Sequence, residues 1–151
     1  MRSLIMGTGS YAPSRVLDNA YFEKLLDTSS DWIMDRTGIR ERRMAAPEEA
    51  TSDLALAASR RALEMARVDP AELDLIVVGT VTPDMPLPST ATLLQGLLGN
   101  EKAFAFDVSA ACSGSLYALS IADRYVASGV ARRALVVGAD TLTRIVDWTD
   151  R

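Results

Sequence analysis

Hydrophobic and polar positions fall into blocks along the chain, and the blocks predict an ordered series of strands and helices. Residues 3–11, SLIMGTGSY, are an apolar run that closes on Pro13 and predicts a buried strand. Asp18 or Asn19 then caps a helix through Leu26, with Phe22, Leu25 and Leu26 on one face. Residues 28–37, TSSDWIMDRT, predict a short surface helix with cap signals at Ser29, Ser30 and Asp31 and a stop at Gly38. Residues 39–44, IRERRM, predict a short extended segment. Its Arg40, Arg42 and Arg43 beside Glu41 read as a solvated edge or, with Arg36, as the frame of a phosphate site. Thr51 or Ser52 caps a strong helix to Val68, in which Leu54, Ala58, Ala62, Met65 and Ala66 form a core stripe.

The second half of the chain is less polar. Residues 73–80, LDLIVVGT, predict a strand buried on both faces, as in a parallel sheet. Residues 82–88, TPDMPLP, hold three of the six prolines and form a rigid loop that lines a site or an interface, or simply connects. A helix over 89–98 stops at Gly99-Asn100, a strand covers 103–108, and another covers 133–140. Its LVVGA echoes the IVVGT of the earlier strand. This order predicts an α/β protein with a mostly parallel central sheet. Residues 108–122 contain no full charge, so the helix beginning there is expected to be buried on most sides. One sheet covers only one side of it. The other cover is a second half of similar size, a homodimer partner, or both.

Cys112, the only cysteine, stands where the strand over 103–108 turns into that apolar helix, next to Gly114 and small neighbours that let another group approach the sulfur. The helix N-terminus favours thiolate and apolar surroundings favour thiol. A buried cysteine is commonly just packing, but the turn and Gly114 fit a nucleophile better than a filler. The chain has no histidine, which excludes a self-contained Cys-His pair. Either Cys112 works alone or its base lies elsewhere. Trp32 and Arg36, four apart on a helix, project from one side and suit a flat anionic ligand, or else pack as ring under arginine stem.

Composition narrows the rest. The 151 residues, 48% hydrophobic, are expected to form one domain over residues 1–151, and the net charge of −4 gives no electrostatic reason for nucleic-acid binding. A single cysteine cannot close an internal disulfide and suits a reducing compartment. The start has no signal-peptide layout, and the longest uncharged run is shorter than the roughly 20 residues of a membrane helix. A soluble, cytoplasmic protein with no membrane role and no metal site is expected.

The phrases IMGTGSY, TSSDWIMDRTGIRER, PST, AFDVSAACSG and ALVVGAD, closing on DWTDR, resemble the N-terminal half of β-ketoacyl-acyl-carrier-protein synthase III across essentially the whole chain. The resemblance implies a thiolase-like half with the nucleophile-bearing helix buried between two sheets, and an acyltransferase of fatty acid synthesis acting as a homodimer. It places on Cys112 the nucleophile that takes an acyl group from acyl-coenzyme A and passes it to malonyl carrier protein, with loss of carbon dioxide. Acyl-coenzyme A is then a substrate, and no permanently bound cofactor is implied. It assigns Thr28, Trp32, Arg36 and Thr37 to the adenine and phosphate clamp, with Arg151 on the other face of the adenine, and Leu87 to the end of the acyl pocket across the dimer interface. A smaller residue or proline is expected where Trp148 stands. The family's catalytic histidine and asparagine belong to a C-terminal half beyond Arg151, so these 151 residues alone are expected not to catalyse condensation. The alternatives are another thiolase-fold condensing enzyme, such as a polyketide starter synthase, or a non-catalytic partner or docking half.

Overall fold

A computed structural model describes residues 3–150. In chain order the elements are β1 (Arg15–Asp18), α1 (Asn19–Glu23), α2 (Ser30–Thr37), β2 (Glu41–Met44), α3 (Thr51–Ala66), β3 (Leu75–Gly79), α4 (Thr90–Leu97), β4 (Phe104–Val108), α5 (Gly114–Ala127) and β5 (Ala134–Gly138). They divide into two compact units: residues 3–11 with Ala50–Asp140, and Ala12–Glu49 with residues 141–150.

The larger unit is built on β3. Its Leu75, Ile76, Val77 and Val78 are wholly buried because parallel β4 and β5 flank it and helices cover both faces. Ile76 and Val78 pack with Ala55 and Leu63 of α3 and with Ala91 and Leu94 of α4. Leu75 and Val77 pack on the other face with Ala118 and Ala122 of α5. The apolar run at 75–78 has no polar position to turn toward water, and this three-layer α/β arrangement answers that requirement.

Two expectations change. Residues 3–11 form no strand, and Leu4, Ile5 and Met6 are exposed. A strand needs a neighbour's backbone to bond, and this segment lies instead on α3, where a Cβ on Gly7 or Gly9 would collide with the carbonyls of Ala62 or Ala58. That contact also corrects the stripe on α3: the face buried toward the sheet runs through Leu54, Ala55, Ser59 and Leu63, while Met65 is exposed and accepts a hydrogen bond from the Thr8 N–H at its sulfur. α5 is buried on one face, through Gly114, Ala118 and Ala122, as expected where a single sheet covers it, and exposes Leu116, Tyr117 and Leu119.

In the smaller unit β1 and β2 pair antiparallel, from Arg15 opposite Met44 to Asp18 opposite Glu41. Reading the sequence missed β1, since Val16-Leu17 between charges shows no alternation. Asp18 caps α1, which ends at Glu23 rather than Leu26. α2 follows expectation: the Ser29 hydroxyl accepts the Trp32 N–H, and Gly38 closes the helix at φ +69°. The Phe22 ring meets the Arg42 guanidinium, 4.6 Å from its centroid, and Trp148, stacked at 6.1 Å. No helix among the described residues is long and apolar enough to cross a membrane.

Candidate active site

The three parallel strands end level with one another, Gly79 of β3 opposite Val108 of β4 and Gly138 of β5. The carboxyl ends of such strands are where parallel sheets form crevices. Here Cys112 lies in a single 3-10 turn, Ala111–Ser113, between β4 and α5, and its thiol is exposed. The turn is sharp: Ala111 holds φ +46°, a left-handed conformation that costs a residue with a Cβ about 1–2 kcal/mol. Backbone held this way beside a candidate nucleophile fixes where the sulfur points.

Two glycines set the floor. A Cβ on Gly79 would come within 2.5 Å of the Gly114 carbonyl carbon, and one on Gly138 within 2.7 Å of the Ser115 Cβ. The first turn of α5 therefore rests directly on the ends of β3 and β5, and Cys112 is held above them. This is the physical content of the LVVGA/IVVGT echo: both glycines serve the same helix. An open cavity of about 270 Å³ results, lined by Gly79, Ala111, Cys112, Ser115, Gly138, Ala139 and Asp140.

The wall residue that sequence reading missed is Asp140. Its Oδ1 accepts hydrogen bonds from Thr80 Oγ1 (3.0 Å), the Val81 N–H (2.8 Å), the Thr82 N–H (3.2 Å) and Thr82 Oγ1 (2.9 Å). No motif announces it, because the partners lie about sixty positions upstream. Asp107, just before the cysteine turn, accepts the Thr90 and Ala91 N–H groups at the start of α4, both at 2.8 Å. Between these anchors runs the proline-rich loop, on which Leu87 is 84% exposed and precedes a cis proline bond.

The clamp candidates lie in the other unit, except Arg151, which falls outside the described residues. Trp32 is 42% exposed, and Arg36 is exposed in the last turn of α2. The Thr28 hydroxyl is buried without a partner among the described residues, whereas Thr37 Oγ1 donates to the Ile33 carbonyl and accepts the Ile39 N–H, tying off the helix end. Of the arginines read as a phosphate frame, Arg42 is engaged by Asn19 and Phe22, and Arg43 by Glu41 and the Pro13 carbonyl. Arg36 and Arg40 are both exposed. A larger cavity of about 380 Å³, lined in part by Asn19, Met34 and Arg40, includes none of the clamp candidates.

Comparison with known proteins bears on this geometry. A family profile for 3-oxoacyl-[acyl-carrier-protein (ACP)] synthase III matches residues 106–151, the stretch that contains Cys112. The chain is 62% identical over 149 residues to the β-ketoacyl-[acyl-carrier-protein] synthase III of Xanthomonas campestris pv. campestris strain 8004, an alignment covering 99% of this chain and 46% of that protein. The crystal structure of 3-oxoacyl-[acyl-carrier-protein] synthase III from Aquifex aeolicus VF5 superposes with a TM-score of 0.95 at 51% identity, over 97% of this chain and 47% of that one. The priming β-ketosynthase of the R1128 polyketide biosynthetic pathway superposes with a TM-score of 0.93 at 43% identity, over 99% and 46%. The chain spans about half the length of the curated relatives it matches, and the fold is the thiolase-like α/β fold of these neighbours.

Proposed function

The chain matches the N-terminal half of β-ketoacyl-acyl-carrier-protein synthase III, and from that premise we propose that it supplies the acyl-accepting half of an acyl-coenzyme A-primed condensing enzyme. The observation that carries the reading is an exposed Cys112 on a strained turn above a cavity floored by two glycines. A thiol so placed is open to a thioester carbonyl.

Cys112 Sγ adds to the carbonyl of acyl-coenzyme A. The tetrahedral oxyanion accepts hydrogen bonds from backbone donors, with the Cys112 N–H as one. Expulsion of the coenzyme A thiolate then leaves an acyl-cysteine. Malonyl carrier protein next loses carbon dioxide, and its α-carbon attacks that thioester, forming the C–C bond and freeing the cysteine thiolate. A histidine and an asparagine for the second step come from the C-terminal half. Thr28, Trp32, Arg36, Thr37 and Arg151 hold the nucleotide of coenzyme A, and no other cofactor takes part. The exposed Trp32 and Arg36 support this assignment. The protein works in the cytoplasm as a homodimer, and the apolar outer face of α5 supports a further cover, from the C-terminal half, the second subunit or both. The R1128 ketosynthase match keeps a polyketide starter synthase as the second reading.

The test is mass spectrometry of the protein, as its source organism produces it, after incubation with acetyl-coenzyme A. An acetyl adduct on Cys112 that is absent from Cys112→Ser is expected. No adduct would overturn the reading, and product analysis with malonyl carrier protein separates the fatty acid and polyketide roles.

A further inference from the structure

A group joined to Cys112 Sγ enters the open cavity that holds the thiol. Most of the lining offers it little side chain. Gly79 and Gly138 form the floor, and Ala111 and Ala139 carry one methyl each. Asp140 is engaged at Oδ1 by the four donors of Thr80, Val81 and Thr82. Ser115 differs from all of these. It follows Cys112 by three positions, the spacing that brings two side chains to one side of a helical turn, and both line the cavity. Its Cβ sits over Gly138, where a Cβ on the glycine would come within 2.7 Å of it. Ser115 is exposed and stands off the face that α5 buries through Gly114, Ala118 and Ala122. Its hydroxyl has no hydrogen-bond partner among the described residues. Neither packing nor hydrogen bonding within the fold therefore calls for serine here. What the residue does is leave space: the cavity of about 270 Å³ approaches the roughly 300–1,000 Å³ of small-molecule sites, and an acetyl group fills only a small part of it.

We infer that Ser115 is a specificity-determining residue: its short side chain keeps open the wall of the Cys112 cavity along which the acyl chain extends, so straight chains longer than acetyl reach the cysteine. This rests on the proposed function, because it takes Cys112 as the acyl acceptor. A larger side chain at this position projects into the same space and shortens the chain admitted, while the thiol stays open to a reagent that carries no chain.

The experiment uses the protein as its source organism produces it. Initial rates of transfer to Cys112 are measured by intact mass from acetyl-, butyryl- and hexanoyl-coenzyme A, alongside iodoacetamide alkylation and the thermal midpoint. The unsubstituted protein is expected to form the hexanoyl adduct as well as the acetyl one. Ser115→Leu is expected to lower the hexanoyl-to-acetyl rate ratio by roughly tenfold or more, the scale on which apolar pockets discriminate chain size. Alkylation of the same variant by iodoacetamide should change far less than that ratio. Ser115→Val lowers the ratio by a smaller factor and tests the idea even where Ser115→Leu does not fold. Ser115→Ala removes the hydroxyl and keeps the wall short, so its ratio stays within about threefold of the unsubstituted protein. An unchanged ratio in Ser115→Leu and Ser115→Val would place the chain elsewhere and overturn the assignment alone, as would an acetyl adduct without a hexanoyl one. A fall in Ser115→Ala as large as in Ser115→Leu would move selectivity from size to the hydroxyl, and overturn it too. Absence of any adduct on the unsubstituted protein would overturn the proposed function and this assignment with it.

Discussion

Gly79 of β3 and Gly114 of α5 approach so closely that a Cβ added to Gly79 would stand 2.5 Å from the Gly114 carbonyl carbon. The atoms in the way are backbone, and the backbone of Gly114, on the buried face of the first turn of α5, has little room to yield. Gly79→Ala is expected to lower stability by about 1–3 kcal/mol, the usual cost of overpacking, and to slow alkylation of Cys112 by iodoacetamide as the turn is displaced. Chemical denaturation and labelling rates check both; an unchanged midpoint would show that the helix lifts without cost.

Ala111 carries the strain of the cysteine turn at φ +46°. Glycine reaches that region freely, so Ala111→Gly is expected to raise stability by up to about 1 kcal/mol, whereas the β-branched Ala111→Val lowers it by about 2 kcal/mol. A denaturation series on the three proteins tests the ordering.

Asp107 stands in for the missing hydrogen-bond partners at the start of α4, accepting from Thr90, which is wholly buried, and from Ala91. Asp107→Ala leaves two N–H groups without their acceptor and is expected to cost about 1–3 kcal/mol. Hydrogen exchange of the α4 amides should accelerate before that of β3 if the loss is local.

Asp74 gives the protein part of its acid sensitivity. The Arg132 N–H holds its carboxyl below the ordinary value; partial burial opposes this, and the Arg133 N–H and the Lys102 ammonium add to the lowering. With the folded value depressed, its stabilising contribution is fully present above the ordinary carboxylate pKa and is lost as pH falls through the folded value. Asp74→Asn is expected to flatten the acid side of the stability curve and to leave its slope near neutrality unchanged. Midpoints measured across the acid range decide it.

Trp32 and Arg36 offer an exposed ring and an exposed guanidinium on α2. If they hold the nucleotide of coenzyme A as proposed, Trp32→Ala and Arg36→Ala each weaken acyl-coenzyme A binding by about 1–2 kcal/mol, roughly 5- to 30-fold. Adduct formation at saturating thioester should be preserved. Titration with a non-hydrolysable thioester analogue separates this from a loss of Cys112 chemistry.

The sequence by itself determined the elements that depend on local rules. The four consecutive buried residues of β3, the Ser29 cap and Gly38 stop of α2, and the cysteine between a strand and a helix all follow from composition and spacing within a few residues. It also carried the family resemblance, since DWIMDRTGIRER and DVSAACSG are contiguous phrases. Tertiary structure alone decided what depends on a distant partner. Residues 3–11 have the composition of a strand but lie against Ala58 and Ala62, because backbone groups form a ladder only where another strand offers one. α5 is apolar nearly all round, and which of its faces the sheet covers, the one through Gly114, Ala118 and Ala122, was set only by where β3 and β5 end. Asp140 gave no local sign at all. Its position became legible only when the parallel sheet brought the end of β5 beside the Thr80–Thr82 segment, where one carboxylate oxygen accepts from four donors.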